Sequence, residues 1–259
     1  MKRLVICVIS FMTISTLGWA EEAYRLNLYQ DVALSGTSLG VAALGYIMEG
    51  DVGNQQTETN INRIDRTFMF PGEESLDKAG TVLACGALLM PGISALAAGG
   101  GIETWSTYGI MYTQAFLLTS GTKNLLKAGV SRWRPYTYDD SYRAGTAENE
   151  GNDDYYNSFP SGHTAYAFLG ASFLSTTFRR EFPESRWKTP LTAAAYGLAG
   201  SVGVLRVLSG EHFFSDVAAG AAIGSLWGAV IPYIHRNQSE ESGIQITSIG
   251  RSMSFTLKY

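Results

Sequence analysis

The chain has 259 residues, 23 acidic and 19 basic side chains for a formal charge of −4, 46% hydrophobic residues and a mean hydropathy of +0.02. That length fits one domain. An acidic chain is a poor nucleic-acid binder, so any phosphate-bearing ligand must be met by cations concentrated locally.

The chain opens on Met1-Lys2-Arg3, an uncharged apolar run from Leu4 to Leu17, then Gly18-Trp19-Ala20. A short basic start, an apolar stretch and small residues at the cleavage-determining positions form the secretory signal pattern. Residues 1–20 are therefore expected to be removed, leaving 21–259 as a single domain. The alternative is an uncleaved anchor, since the run is nearly long enough to span. Cleavage lowers the basic count from 19 to 17 against 23 acids, a formal −6. It also removes Cys7 and leaves Cys85 alone, which excludes an intrachain disulfide. Cys85 stands in an apolar run and is expected as a small core residue.

Six long uncharged stretches follow, at 32–48, 79–101, 104–122, 161–178, 189–205 and 217–234. Each is too long for an ordinary strand and predicts a helix. The fold class is all-α, a six-helix bundle. Gly220, Gly224 and Gly228 recur every four residues and so share one helix face, a stripe that lets backbones approach closely. Two polar loops interrupt the series, 49–77 and the acidic 136–157. The carboxylates of the second predict a solvated surface, with a rim beside the site as the alternative, and their order does not match a calcium loop. In the tail, Met253, Phe255, Leu257 and Tyr259 alternate with polar residues, a period-two strand. Residues 243–249 are its expected partner, giving a small C-terminal β-hairpin over 243–259. Tyr24, Leu26 and Leu28 alternate as well.

Three groups carry chemistry. Lys127 and Arg134 are seven apart, two turns if the third helix runs that far, with Pro135 to end it. Pro160-Ser161-Gly162-His163 opens the fourth helix, where Ser161 can cap, Gly162 lets the backbone come close and free amides make an anion site. Arg206, His212 and Asp216 form the third group, with Asp216 one helical turn after His212 and able to accept from one ring nitrogen. Each group alone has a plainer explanation, as helix capping, dipole complementation or an interhelical ion pair. Together they supply three cations, two imidazoles and an orienting carboxylate, which suits phosphoryl transfer through a histidine without a metal.

The set Lys127-x6-Arg134-Pro135, Pro160-Ser161-Gly162-His163 and Arg206-x5-His212-x3-Asp216 resembles the three-part signature of the type 2 phosphatidic acid phosphatase superfamily. That superfamily includes lipid phosphatases, bacterial acid phosphatases and vanadium haloperoxidases. The resemblance covers roughly residues 104–236, and the helix count extends it to 32. It implies a phosphohistidine on His212, orientation of His212 by Asp216, and proton transfer by His163. It also implies oxyanion contacts from Lys127, Arg134, Arg206, Ser161 and the Gly162 amide. No cofactor or metal is implied. The family usually has Ser before the third-motif Arg, and here Leu205 stands there. His235, in a polar run at the end of the last helix, is expected at the surface.

The expected function is therefore a metal-independent phosphomonoesterase, acting on a lipid phosphate or a small soluble ester. A vanadate-dependent haloperoxidase and a non-catalytic envelope protein with a relic phosphate pocket are the alternatives. Residues 1–20 and the near-zero hydropathy favour a periplasmic protein, with membrane association open. The alternative is an integral membrane protein. If all six stretches cross a bilayer from an outside N-terminus, the motifs count to the cytoplasmic side, whereas membrane-spanning relatives act on the outer face.

Overall fold

The computed structural model describes residues 23–48, 61–99, 101–139, 157–237, 244–249 and 252–257. The expected signal peptide, residues 49–60 and 140–156 of the two polar loops and the hairpin turn lie outside the described residues. The long helices are α1 (Leu28–Met48), α3 (Glu74–Leu88), α5 (Ile102–Gly129), α6 (Gly162–Glu181), α7 (Lys188–Leu208) and α8 (Phe214–Ile234). Two short ones, α2 (Arg63–Thr67) and α4 (Gly92–Ala97), lie between them. Strands β1 (Ile244–Ile249) and β2 (Ser252–Leu257) pair antiparallel, with Ile244 opposite Leu257 and Ile249 opposite Ser252. Near the N-terminus, among the described residues, Tyr24 forms an isolated bridge with Arg236, and α1 begins at Leu28.

The second predicted helix is broken. Pro91 has no N–H to donate, so α3 stops at Leu88 and α4 starts after Pro91. The third runs longer than expected, to Gly129, and carries Lys127 in its last turn.

Helix α6 is the centre of the bundle and packs against α3, α5, α7 and α8. Ala165, Ala167, Leu169, Ala171, Phe173 and Leu174 on it are fully buried. The glycine stripe of α8 faces it. A Cβ on Gly220, Gly224 or Gly228 would sit 2.4, 2.0 or 2.7 Å from the carbonyl oxygens of Ser161, Ala165 and Leu169. Only hydrogen at these positions permits such an approach, so the small-residue stripe is the seam between the two helices.

Outside this centre the bundle is apolar on its surface. Val32, Leu39 and Ile47 on α1, Val82 on α3, Val204 on α7 and Leu226 on α8 are exposed. Cys85 on α3 is exposed as well, contrary to the expected core position. An apolar helix gives no pattern that separates its inward face from its outward one. Four segments, Leu28–Met48, Glu74–Ala97, Lys188–Leu208 and Phe214–Ile234, are long and apolar enough to cross a membrane. Length and outward-facing side chains together favour the integral-membrane alternative over a water-soluble periplasmic bundle.

His235 departs from expectation too. It is 2% exposed and ties the end of α8 to the first turn of α1. Its Nδ1 lies 2.9 Å from the Ile231 carbonyl, and its Nε2 lies 2.7 Å from Asp31 Oδ1, which also accepts from Gln114 Nε2 at 3.2 Å.

Candidate active site

Alternating helix directions bring five chain segments to one end of the bundle. The first turns of α3 and α6, the last turns of α5 and α7 and the approach to α8 meet there. Arg134 arrives differently from the sequence reading. Helix α5 ends at Gly129, so Lys127 and Arg134 do not share a helix face. Arg134 lies in extended backbone, and Pro135 opens a single 3-10 turn through Tyr138. The α7–α8 turn is made by Gly210, whose φ of +71° only glycine adopts freely, and a Cβ there would meet the Phe70 carbonyl at 2.5 Å.

His212 precedes α8 and is 2% exposed. Its Nδ1 lies 2.7 Å from the carbonyl oxygen of Ser158. A carbonyl only accepts, so Nδ1 carries the proton and the Nε2 lone pair is left for chemistry. Asp216 is not its nearest partner, as the i,i+4 spacing had suggested, because His212 is outside the helix and the spacing rule does not apply. Asp216 Oδ2 is 3.9 Å from Nδ1. That carboxylate accepts from Ser158 Oγ at 2.5 Å and from the Phe213 amide at 2.9 Å, which caps α8.

Behind Asp216 stands a network that the motif spacing does not reveal. Arg132 Nη1 pairs with Asp216 Oδ1 and donates to Ser215 Oγ at 2.7 Å. Arg132 Nη2 contacts Asp65 Oδ2 at 2.7 Å, and its guanidinium lies 4.1 Å from the centre of the Phe213 ring. Asp65, on α2, is fully buried and also accepts from the Ser215 amide at 2.9 Å. Asn62 caps α2 by accepting from the Asp65 amide at 2.9 Å. A groove of about 510 Å³ lined by Asn62, Asp65, Phe214 and Ser215 opens beside this network and contains neither His163 nor His212.

His163, in the first turn of α6, places Nε2 3.2 Å from Thr81 Oγ1 on α3. Burial, then Arg206, and more weakly Arg134 and Lys127, lower its pKa to about 4 against the opposing pull of Asp77. Burial and then Arg134, Arg206 and Lys127 hold His212 well below the ordinary histidine value, and its bond to Ser158 only partly offsets them. All three sequence-identified cations therefore act on both imidazoles. Both rings are neutral near pH 7.

Ser161 takes the N-cap position, but its hydroxyl pairs with Thr164 Oγ1 at 2.9 Å instead of capping an amide. Its own amide donates to the Asp216 carbonyl at 3.0 Å, linking the second motif to the third. Gly162 faces Lys123, whose Cδ would lie 3.2 Å from a Cβ there. Arg206 is 1% exposed; its Nη1 pairs with Asp77 Oδ1 and its Nη2 is 3.4 Å from Glu211 Oε2. The same Glu211 oxygen pairs with Arg134 Nη1. Arg206 Nε is buried and meets no acceptor among the described residues. A buried guanidinium with an unused donor is preorganised for an oxyanion. Among the described residues no group of three His, Cys, Asp or Glu is placed to hold a metal ion.

The model of the PAP2 superfamily matches residues 108–240, just over half of the chain. The chain is similar to lipid A 1-phosphatase of Porphyromonas gingivalis, 33% identical over 127 residues, covering 49% of this chain and 23% of that protein. It is also similar to lipid phosphate phosphatase 1 of Arabidopsis thaliana, 32% identical over 114 residues, covering 35% of this chain and 34% of that protein. The chain thus spans about a quarter to a third of the length of these two relatives. A solved transmembrane PAP2-type phosphatidylglycerolphosphate phosphatase from Bacillus subtilis superposes with a TM-score of 0.49 and 21% identity, over 83% of this chain and 98% of that one. With the family match spanning all three motifs, this chain belongs to the PAP2 superfamily.

Proposed function

We propose that this chain is a membrane-embedded phosphatase that hydrolyses the phosphomonoester of a lipid phosphate through a phosphohistidine on His212, without a metal. One observation carries the reading: three cations surround two neutral imidazoles, one of which is held with its Nε2 lone pair available. His212 Nε2 attacks phosphorus and the P–O bond to the lipid alcohol breaks; His163, which takes up a proton as the bound phosphate offsets the cations that depress it, gives that proton to the departing oxygen. His163 then takes a proton from water as water attacks the phosphohistidine, the P–N bond breaks and inorganic phosphate forms. Lys127, Arg134, Arg206 and the first-turn amides of α6 hold the oxyanions, with Asp216 positioning His212 through Ser158.

The lipid substrate rests on the names of the relatives and on a site at one end of helices with apolar outer faces. The test uses the full chain in detergent with a lipid phosphate, an isoprenyl pyrophosphate and a chromogenic phosphomonoester. Turnover is expected to survive EDTA and to be inhibited competitively by vanadate, a transition-state mimic. Wild type should trap an acid-labile phosphoenzyme that His212→Ala does not form. Loss of activity on chelation, or substantial turnover by His212→Ala, would sink the mechanism.

A further inference from the structure

Two carboxylates occupy the guanidiniums that the proposed reaction needs for phosphate. Glu211 Oε2 contacts Arg134 Nη1 and lies 3.4 Å from Arg206 Nη2, while Asp77 Oδ1 pairs with Arg206 Nη1. The cations are buried and the carboxylates are partly exposed. The side chains of Arg134 and Arg206 are 6% and 2% exposed, against 21% for Glu211 and 36% for Asp77. A phosphate dianion cannot share a donor fork with a carboxylate that already fills it, because like charges at that distance repel. Anion binding is therefore an exchange. Glu211 is also tethered, being the residue before His212, so a displaced carboxylate stays at high effective concentration beside the fork it left.

We propose that Glu211 is the group that returns to Arg134 and Arg206 as inorganic phosphate leaves, so that this carboxylate sets how tightly product is held. The proposal rests on the phosphatase reading. It assigns Glu211 no part in bond making or breaking. During the phosphohistidine stage Glu211 is held off the guanidiniums. Once water has released phosphate from His212, the carboxylate competes for the same donors and weakens product retention.

The test is isothermal titration of inorganic phosphate into the full chain in detergent, for wild type, Glu211→Gln and Asp77→Asn, with helical circular dichroism to verify folding. Titration needs no turnover, so a failed reaction and a failed exchange are read separately. Glu211→Gln should bind phosphate roughly tenfold more tightly, the scale of one charge-assisted hydrogen bond freed for the ligand. On a chromogenic phosphomonoester its KM should fall in parallel, and its kcat should fall as release slows. Asp77→Asn should tighten binding in the same direction, and Glu211→Ala carries the test if Glu211→Gln does not fold. A folded Glu211→Gln with unchanged or weaker phosphate affinity overturns the proposal, as does tightening confined to Asp77→Asn when both fold. Tighter phosphate binding without turnover by any form would support the exchange and sink the phosphatase reading.

Discussion

Asp216 reaches His212 through Ser158. The Ser158 hydroxyl donates to Asp216 Oδ2 at 2.5 Å and its carbonyl accepts from His212 Nδ1 at 2.7 Å, whereas the two ionisable side chains stand 3.9 Å apart. A side-chain substitution at 158 keeps the carbonyl, so the two halves of the link are separable. Ser158→Ala is expected to lower kcat modestly with little change in KM. Asp216→Ala should destabilise the protein by roughly 3 kcal/mol or more, because it leaves buried Arg132 with one carboxylate instead of two. Thermal melts and steady-state kinetics on both variants make the comparison. Activity of Ser158→Ala as low as that of His212→Ala would mean that the hydroxyl itself takes part in the reaction.

The lowered histidines have a pH signature. His163 titrates at about 4 in the folded chain against an ordinary value of 6.5, and His212 is displaced in the same direction. The unfolded chain then binds more protons across that interval, so the stability from neutral buried imidazoles is complete above about pH 6.5 and is lost as pH falls towards 4. Melting temperature should fall over that window in wild type and less steeply in His163→Gln. An identical slope in the two proteins would remove His163 from the account.

The same electrostatics predicts proton uptake on binding. An anion that neutralises Arg206, Arg134 and Lys127 removes much of what depresses His163, so its pKa rises. Vanadate titrated near pH 6 in buffers of different ionisation enthalpy should therefore show a proton taken up. No buffer dependence would contradict His163 as the proton donor.

The seam between α6 and α8 tolerates no side chain. Gly224→Ala places a methyl 2.0 Å from the Ala165 carbonyl and is expected to cost roughly 3 kcal/mol or more, since the obstacle is backbone and cannot turn aside. Gly197→Ala on α7 meets nothing within 4 Å and should stabilise by about 0.5–1 kcal/mol. Equal effects of the two in thermal melts would show that the helices are not in backbone contact.

Leu205 stands where the family usually has serine, and its Cβ would lie 3.4 Å from a Cβ on Gly80 of α3. It thus belongs to a helix interface. Leu205→Ser is expected to lower stability by about 1–3 kcal/mol and leave the phosphate inhibition constant unchanged. A tightening of phosphate inhibition by the variant would show that the new hydroxyl reaches the ligand.

The helices and the meeting of the motifs were legible because apolar runs and motif spacing survive as linear patterns. The stripe of Gly220, Gly224 and Gly228 told which face of α8 would be closest to a neighbour. Contacts between distant segments left no such trace. Asp65 lies 67 residues before Arg132 and read as one charge among several in a polar loop. His235 and Asp31 are 204 apart, and a lone histidine at a helix end reads as surface. Glu211 and Asp77 carried no signal of their own, because pairing with Arg206 depends on how α3 and α7 pack. Cys85 misled for another reason: on a helix that is apolar all round, hydrophobicity no longer means inside.

The glycine seam also acts as a ruler. His163 rides on the first turn of α6 and His212 precedes α8, and those two helices approach backbone to backbone from Ser161 to Phe173 and from Gly220 to Gly228. The spacing between His163 and His212 is thereby indexed to main-chain atoms. Side chains on the outward faces of α1, α3 and α7 can change in length and bulk without altering the distance between the two imidazoles.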